Sequence, residues 1–231
     1  MKELMQEHSD VAKQPLGISR RKFMAYAGGL AGATLLLDAC SKDKTSDTTP
    51  VSSIDLGSGD IGLLNYAYAL EQLEAAFYIQ VLNTPYKEMS NDQKLLFQDI
   101  RDHEIAHREF LKNLLAGKAI QTLEFNFSSI DFTSKTAVLN AAATFEQTGV
   151  SAYNGASALI VSSDTVLTAL KIASVEARHA AWIKDLISWG SFSDNTDANG
   201  IEASRTPAEV LPLVQPYIKM TLSGNNLPAI K

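Results

Sequence analysis

Apolar residues recur at intervals of three and four through four long stretches of this chain, the signature of amphipathic helices. The first stretch spans about residues 60–82, with Leu64, Ala67, Tyr68, Glu71, Ala75, Tyr78 and Leu82 along one face, and Asn83, Thr84 and Pro85 ending it. The second spans about residues 90–115, with Ser90 as N-cap, Gly117 as the stop, and Phe97, Ile100, Glu104, His107, Leu111 and Leu114 facing inward. The third spans about residues 134–161 and turns Leu139, Ala142, Phe145, Glu146, Gly149, Tyr153 and Ile160 inward. The fourth spans about residues 163–189, with Ile172, Val175, Glu176, His179, Ile183 and Leu186 on one stripe.

Short links join helices 1–2 and 3–4, so those pairs are expected to be antiparallel neighbours. The link from Gly117 to Thr133 is longer. It carries Leu123, Phe125, Phe127, Ile130 and Phe132, too apolar a set for a free loop, and it is long enough to run the length of the bundle. Beyond Gly190 the chain is polar to Ser204. Thr206-Pro207-Ala208-Glu209 then reads as a capping box with proline at the first helical position. A short helix is expected from there to about Pro216, packed outside the bundle. The expected fold is all-α: an antiparallel four-helix bundle over residues 60–190, with a long crossover between helices 2 and 3 and a short helical C-terminal extension over residues 191–231.

Composition fits this picture. The 231 residues are 45% hydrophobic and 20% charged, enough for one domain with a true core. A net charge of −6 argues against general nucleic-acid binding, which leaves a basic footprint. A single cysteine, Cys40, allows no internal disulfide and no Cys-rich zinc or ordinary iron–sulfur site, so any metal must use oxygen and nitrogen ligands.

The N-terminal segment carries an address. Ser19-Arg-Arg-Lys-Phe-Met24 precedes a small, apolar run from Ala25 to Leu37, then Asp38, Ala39 and Cys40. A basic region, a short apolar core and a small residue before the cut describe an export signal over residues 1–39. The run is too short for a typical spanning helix. The paired arginines resemble a twin-arginine signal. Leu-Asp-Ala-Cys resembles a lipoprotein processing site, which makes Cys40 the candidate lipidated residue. Residues 40–59, rich in Ser, Thr, Asp and Gly, read as a flexible polar tether. The expected location is the periplasm or cell envelope, with membrane contact through the lipid.

The chemistry lies in the apolar stripes. Each long helix sets an acid in mid-stripe: Glu71, Glu104, Glu146 and Glu176. Bare carboxylates in a core are costly, and cations relieve that cost by making them ligands. Glu104-Ile-Ala-His107 and Glu176-Ala-Arg-His179 each place a carboxylate and an imidazole on one helical face. This donor set suits iron or manganese. Glu74, three residues beyond Glu71, is an alternative ligand on the first helix. The other reading of the acids is a metal-free bundle in which they pair with Arg101, Arg178 or each other. His103 cannot share the face of Glu104 and reads as a surface or outer residue. Asp102 and Glu109 read as surface charges, Tyr153 as core, and His8 lies in the signal.

Here the chain resembles the ferritin-like superfamily. Tyr66-Ala-Tyr-Ala-Leu-Glu71-Gln-Leu-Glu-Ala-Ala-Phe-Tyr78 looks like the first ligand helix of bacterioferritins and rubrerythrins, which also carry a tyrosine seven residues after the glutamate. Phe145-Glu146-Gln-Thr-Gly149 resembles their third helix, and Glu176-Ala-Arg-His179-Ala-Ala-Trp182 their fourth. The likeness extends to the exported branch that includes desiccation-associated proteins. It implies six ligands to two metal ions, iron first and manganese second: Glu104 and Glu176 bridging, His107 and His179 each on one ion, Glu71 and Glu146 terminal. It places Tyr78 outside them as a hydrogen-bond donor and favours Glu71 over Glu74.

The resemblance implies an oxidoreductase acting on dioxygen, peroxide or ferrous iron in stress protection, with ferroxidase, peroxidase or catalase-like chemistry. The alternatives are a metal-binding protein without turnover and a structural envelope protein. An oligomer is compatible with the sequence. A closed cage is not expected, because a lipid tether and a C-terminal extension fit badly into a closed shell.

Overall fold

The computed structural model describes residues 53–229. Within them the order is strand β1 (Ile54–Asp55), helices α1 (Gly59–Asn83), α2 (Asn91–Leu115), α3 (Lys135–Ser157) and α4 (Ser163–Ile187), short helix α5 (Pro207–Val214) and strand β2 (Leu222–Ser223). The fold is the expected all-α four-helix bundle, with α1 packed on α2 and α3 on α4. The expected export signal over residues 1–39 and the candidate lipidated Cys40 lie outside the described residues. No helix among the described residues is long and apolar enough to cross a membrane.

The helix starts follow local chemistry. Ser90 accepts from the Gln93 amide, while the Gln93 side chain accepts from the Ser90 amide at 3.0 Å. Ser134 and Ser162 accept from Ala137 and Thr165. Thr206 donates its amide to Glu209 Oε2 at 2.7 Å, with Pro207 as the first helical residue.

α2 ends at Leu115, as expected, but on a different stop residue, and α3 ends early. The stop of α2 is Ala116, whose φ is +50°, and Gly117 instead lies inside a single 3-10 turn, Ala116–Lys118. α3 stops at Ser157, four residues short of 161. The reason is Asp60, in the first turn of α1. Its carboxylate accepts from the amides of Val161 and Ser162 at 2.9 and 2.8 Å, drawing the chain out of helical register and pinning the α3–α4 link to the start of α1.

α1 is buried on nearly every side, from Gly62 to Val81. The crossover covers one of its faces. Leu123 is buried, and Phe127 and Phe132 pack on Phe77 with ring centroids 6.0 and 5.8 Å away. Two buried amides of α1 fasten this segment. Asn65 donates to the carbonyls of Leu56 and Lys118 and accepts from Ile120; Gln72 accepts from Leu123 at 2.9 Å.

The C-terminal extension packs against α3 and adds its own residues to the core. Val210 and Val214 of α5 are buried in the main apolar cluster, and Tyr217 meets Phe145 edge-on at 4.8 Å. The extension docks along α3. Arg205 donates its amide to the Ser151 carbonyl at 3.0 Å, Asn154 donates to the Ala203 carbonyl at 2.9 Å, and Gly155 leaves room for the Arg205 carbonyl. The expected tether also ends earlier than residue 59. Leu56 is fully buried, and β1 pairs in parallel with β2, with Ile54 opposite Leu222 and Asp55 opposite Ser223.

Candidate metal centre

Four helices carry their acids to one place in the middle of the bundle. α1 supplies Glu71, α2 Glu104 and His107, α3 Glu146, and α4 Glu176 and His179; all four carboxylates are fully buried. The i, i+3 spacing of Glu104–His107 and Glu176–His179 sets each imidazole beside its own carboxylate.

The geometry has an approximate two-fold symmetry. His107 Nδ1 faces Glu176 Oε1 at 2.9 Å, Glu71 Oε2 at 3.3 Å and Glu104 Oε2 at 3.8 Å. His179 Nδ1 faces Glu104 Oε1 at 2.7 Å, Glu146 Oε2 at 3.5 Å and Glu176 Oε2 at 3.9 Å. Each imidazole thus looks at three carboxylates, and Glu104 and Glu176 are common to both. Two overlapping groups able to hold a metal ion result: Glu71, Glu104, His107 and Glu176, and Glu104, Glu146, Glu176 and His179.

The unsatisfied atoms mark the same two places. Glu71 Oε2, Glu146 Oε2, both oxygens of Glu104 and Glu176, and Nδ1 of His107 and His179 are buried without a well-formed hydrogen bond among the described residues. The outer oxygens of Glu71 and Glu146 are taken. Tyr153 donates to Glu71 Oε1 at 2.5 Å, and Tyr78 donates to Glu146 Oε1. Two tyrosines therefore orient the two unshared carboxylates and leave one oxygen of each turned inward. The chemistry and aim of this donor set fit a pair of divalent cations.

Electrostatics agrees. Burial pushes Glu71 up to about 7 against the opposing pull of His107 and Tyr153. Burial and the neighbouring acids raise Glu176 well above the usual carboxylate range, and burial raises Glu146. Glu104 is the exception: burial would raise it, but His107 and His179 outweigh burial and hold it at about 2. Burial disfavours charge on the imidazoles too, yet Glu146 and Glu104 hold His179 up at about 11, and His107 is raised likewise. In the metal-free protein these raised pKa values favour positive charge on the imidazoles beside the carboxylates.

The bare ion-pair alternative finds no arginine here. Arg101 pairs with its exposed neighbour Asp102, and Arg178 donates to Ser174 at 3.0 Å. His103 is more than a surface residue. Its Nδ1 lies 3.0 Å from Nε2 of His179, with the two rings nearly parallel, so it orients that imidazole with Nδ1 inward. Tyr153, read from its stripe as core, does for Glu71 what Tyr78 does for Glu146. Its signal was present, since Glu146 and Tyr153 repeat the seven-residue spacing of Glu71 and Tyr78. Glu74 is buried beside the two groups, outside both sets of converging donor atoms.

A family model described as the ferritin-like domain matches residues 59–188. The chain belongs to the ferritin-like family. The match begins with α1 and runs through the end of α4, so it contains every residue of the centre, while the docked extension lies beyond it. Among curated proteins none matches.

Proposed function

We propose that this ferritin-like protein holds two iron or manganese ions and works as an exported, lipid-anchored redox protein in stress protection. The observation that supports the two-ion reading most directly is the sharing of Glu104 and Glu176 between two groups of inward-facing, unsatisfied donor atoms. In this reading Glu71, Glu104, His107 and Glu176 would hold one ion and Glu104, Glu146, Glu176 and His179 the other.

Bound iron or manganese would supply one-electron chemistry toward dioxygen, peroxide or ferrous iron. The protein supplies the rest. Tyr153 and Tyr78 fix the unshared carboxylates, and His103 fixes His179. His107 and His179 would have to lose any proton on Nδ1 to bind metal there. Phe77, Phe145, Phe97 and Tyr78 form a buried aromatic cluster beside Glu146, and His107 is the more exposed of the two imidazoles, at 14% against 6% for His179.

Elemental analysis of the purified chain, followed by oxygen uptake on adding ferrous ion, tests the reading. Two ions per chain with oxygen uptake supports it. Two ions without uptake of oxygen or peroxide favours a metal-binding protein without turnover, and no metal at all favours a structural envelope protein. Export is read from Arg20 and Arg21, and anchoring from Cys40. Cys40→Ala should release the protein from membranes, and changing both arginines to Lys should stop export. If the Cys40 variant fractionates like wild type, there is no lipid anchor.

A further inference from the structure

Besides His103, which has no counterpart on α4, the approximate two-fold symmetry of the centre breaks at residue 74. Three residues after Glu71 stands Glu74; three residues after Glu146, at the corresponding point of the other half, stands Gly149. Glu74 is 2% exposed, and its Oε2 has no hydrogen-bond partner among the described residues. Its other oxygen occupies the space that a side chain at 149 would take. A Cβ built on Gly149 would lie 2.9 Å from Glu74 Oε1.

The same point on Gly149 lies 3.7 Å from Glu176 Oε2. That oxygen is the one turned toward His179, whereas Oε1 of the same carboxylate is turned toward His107. Glu74 therefore reaches across from α1, whose Glu71 serves the His107 side, to the side of Glu146 and His179. A buried carboxylate without a partner is costly, and an apolar residue at 74 would fill this space more cheaply. Four carboxylates already balance two divalent cations. A fifth gives one of the two positions an excess of negative charge.

We infer that Glu74 is a seventh protein group of the metal centre, committed to the position of Glu146 and His179, and that it makes the two metal positions unequal. The inference rests on the two-ion reading above. The richer position fills first and holds its divalent ion more tightly.

The test is an anaerobic titration of the purified full chain with manganous or cobaltous ion against a competing chelator, with stoichiometry by elemental analysis. It compares wild type with Glu74→Gln and Gly149→Ala. The alanine methyl displaces the flexible Glu74 carboxylate without removing it, so it carries the test if the first variant does not fold. Wild type should bind two ions in steps at least about tenfold apart, and both variants should still bind two. Loss of an outer carboxylate weakens metal binding by about 10- to 100-fold, so the tighter step should weaken by that factor and the two steps should converge. If the variants keep the wild-type steps, or if wild type fills both positions in one step, Glu74 is no part of the centre although the two-ion reading stands. If wild type takes up no metal, both fall.

Discussion

Tyr153 on α3 donates its phenolic hydrogen to Glu71 Oε1 on α1, 2.5 Å away and across the centre of the bundle. This contact joins the two helices that contribute only one of the six predicted ligands each, and Tyr78 repeats it in the opposite direction to Glu146. Both carboxylates are held by the helix facing them, so their aim depends on packing as well as on their own rotamers.

Tyr153→Phe should therefore leave the helices folded and loosen the site. Outer-shell substitutions of this kind cost about 10- to 100-fold in metal affinity. Chelator competition on wild type and variant measures this, with far-ultraviolet circular dichroism as the control for folding. An unchanged affinity means that Glu71 is aimed by α1 alone.

Glu176→Gln should have opposite effects with and without metal. In the metal-free protein Glu176 is buried among Glu104, Glu71 and Glu146, which raise its pKa after burial itself. Removing that charge should stabilise the chelated bundle or leave it unchanged. Added ferrous or manganous ion should then raise the melting temperature of wild type far more than that of the variant. Strong destabilisation of the chelated variant would identify Glu176 as a structural partner of the imidazoles.

The metal-free protein should weaken as pH rises. Burial holds Glu71 at about 7, above its ordinary value, so its contribution is complete below the ordinary carboxylate range and lost as pH climbs through about 7. His179, raised to about 11 by Glu146 and Glu104 against burial, contributes fully below the ordinary imidazole value and loses that contribution through about 11. Glu104 acts in the opposite sense, and its contribution is lost only as pH falls toward about 2. Melting curves with chelator should thus decline from about pH 5 to about pH 9. With saturating manganese the trend should flatten or reverse, because the ligands bind metal after losing their protons. Parallel declines in both series would contradict a shared site.

Gly155→Ala should undock the C-terminal extension. The added Cβ would fall 1.9 Å from the backbone carbonyl of Arg205, and neither helix nor extension can yield by a side-chain rotation. The cost is expected at about 1–3 kcal/mol or more, as for other overpacked sites. Chemical denaturation measures it, and limited proteolysis should cut first near residues 200–206. Wild-type stability would mean that the extension contributes little to the fold.

The four long helices and the Glu-x-x-His pairs are legible because both are periodic. A stripe at 3.6-residue spacing with an acid at its centre is visible in one dimension. Asn65 and Gln72 have no such signature. They are polar residues on a helix with no exposed face, and their purpose, holding the crossover backbone, depends on a segment some fifty residues away. The extension's share of the core is hard to read for a related reason: Val210, Val214, Ile218 and Leu222 are scattered among prolines and turns, and only their burial in the main apolar cluster reveals them as core. Asp60 reads as an ordinary first-turn acid, but its two bonds to Val161 and Ser162 decide where α3 ends. His103 is adjacent to a ligand in sequence and so falls off its face. It reaches the centre from the side, through His179.

The pairing of β1 with β2 has a mechanical meaning. Two backbone hydrogen bonds, from Ile54 to Thr221 at 2.8 Å and from Leu56 to Ser223 at 3.0 Å, tie the start of the described chain to its last segment. They lie across the strands, and the buried Leu56 side chain sits behind them. A pull applied from the N-terminal side therefore loads both bonds together in shear before any tension reaches the first turn of α1. The clasp acts as a strain relief: whatever tugs on the chain ahead of Ile54 must slide β1 off β2 before it can disturb the helix that carries Glu71.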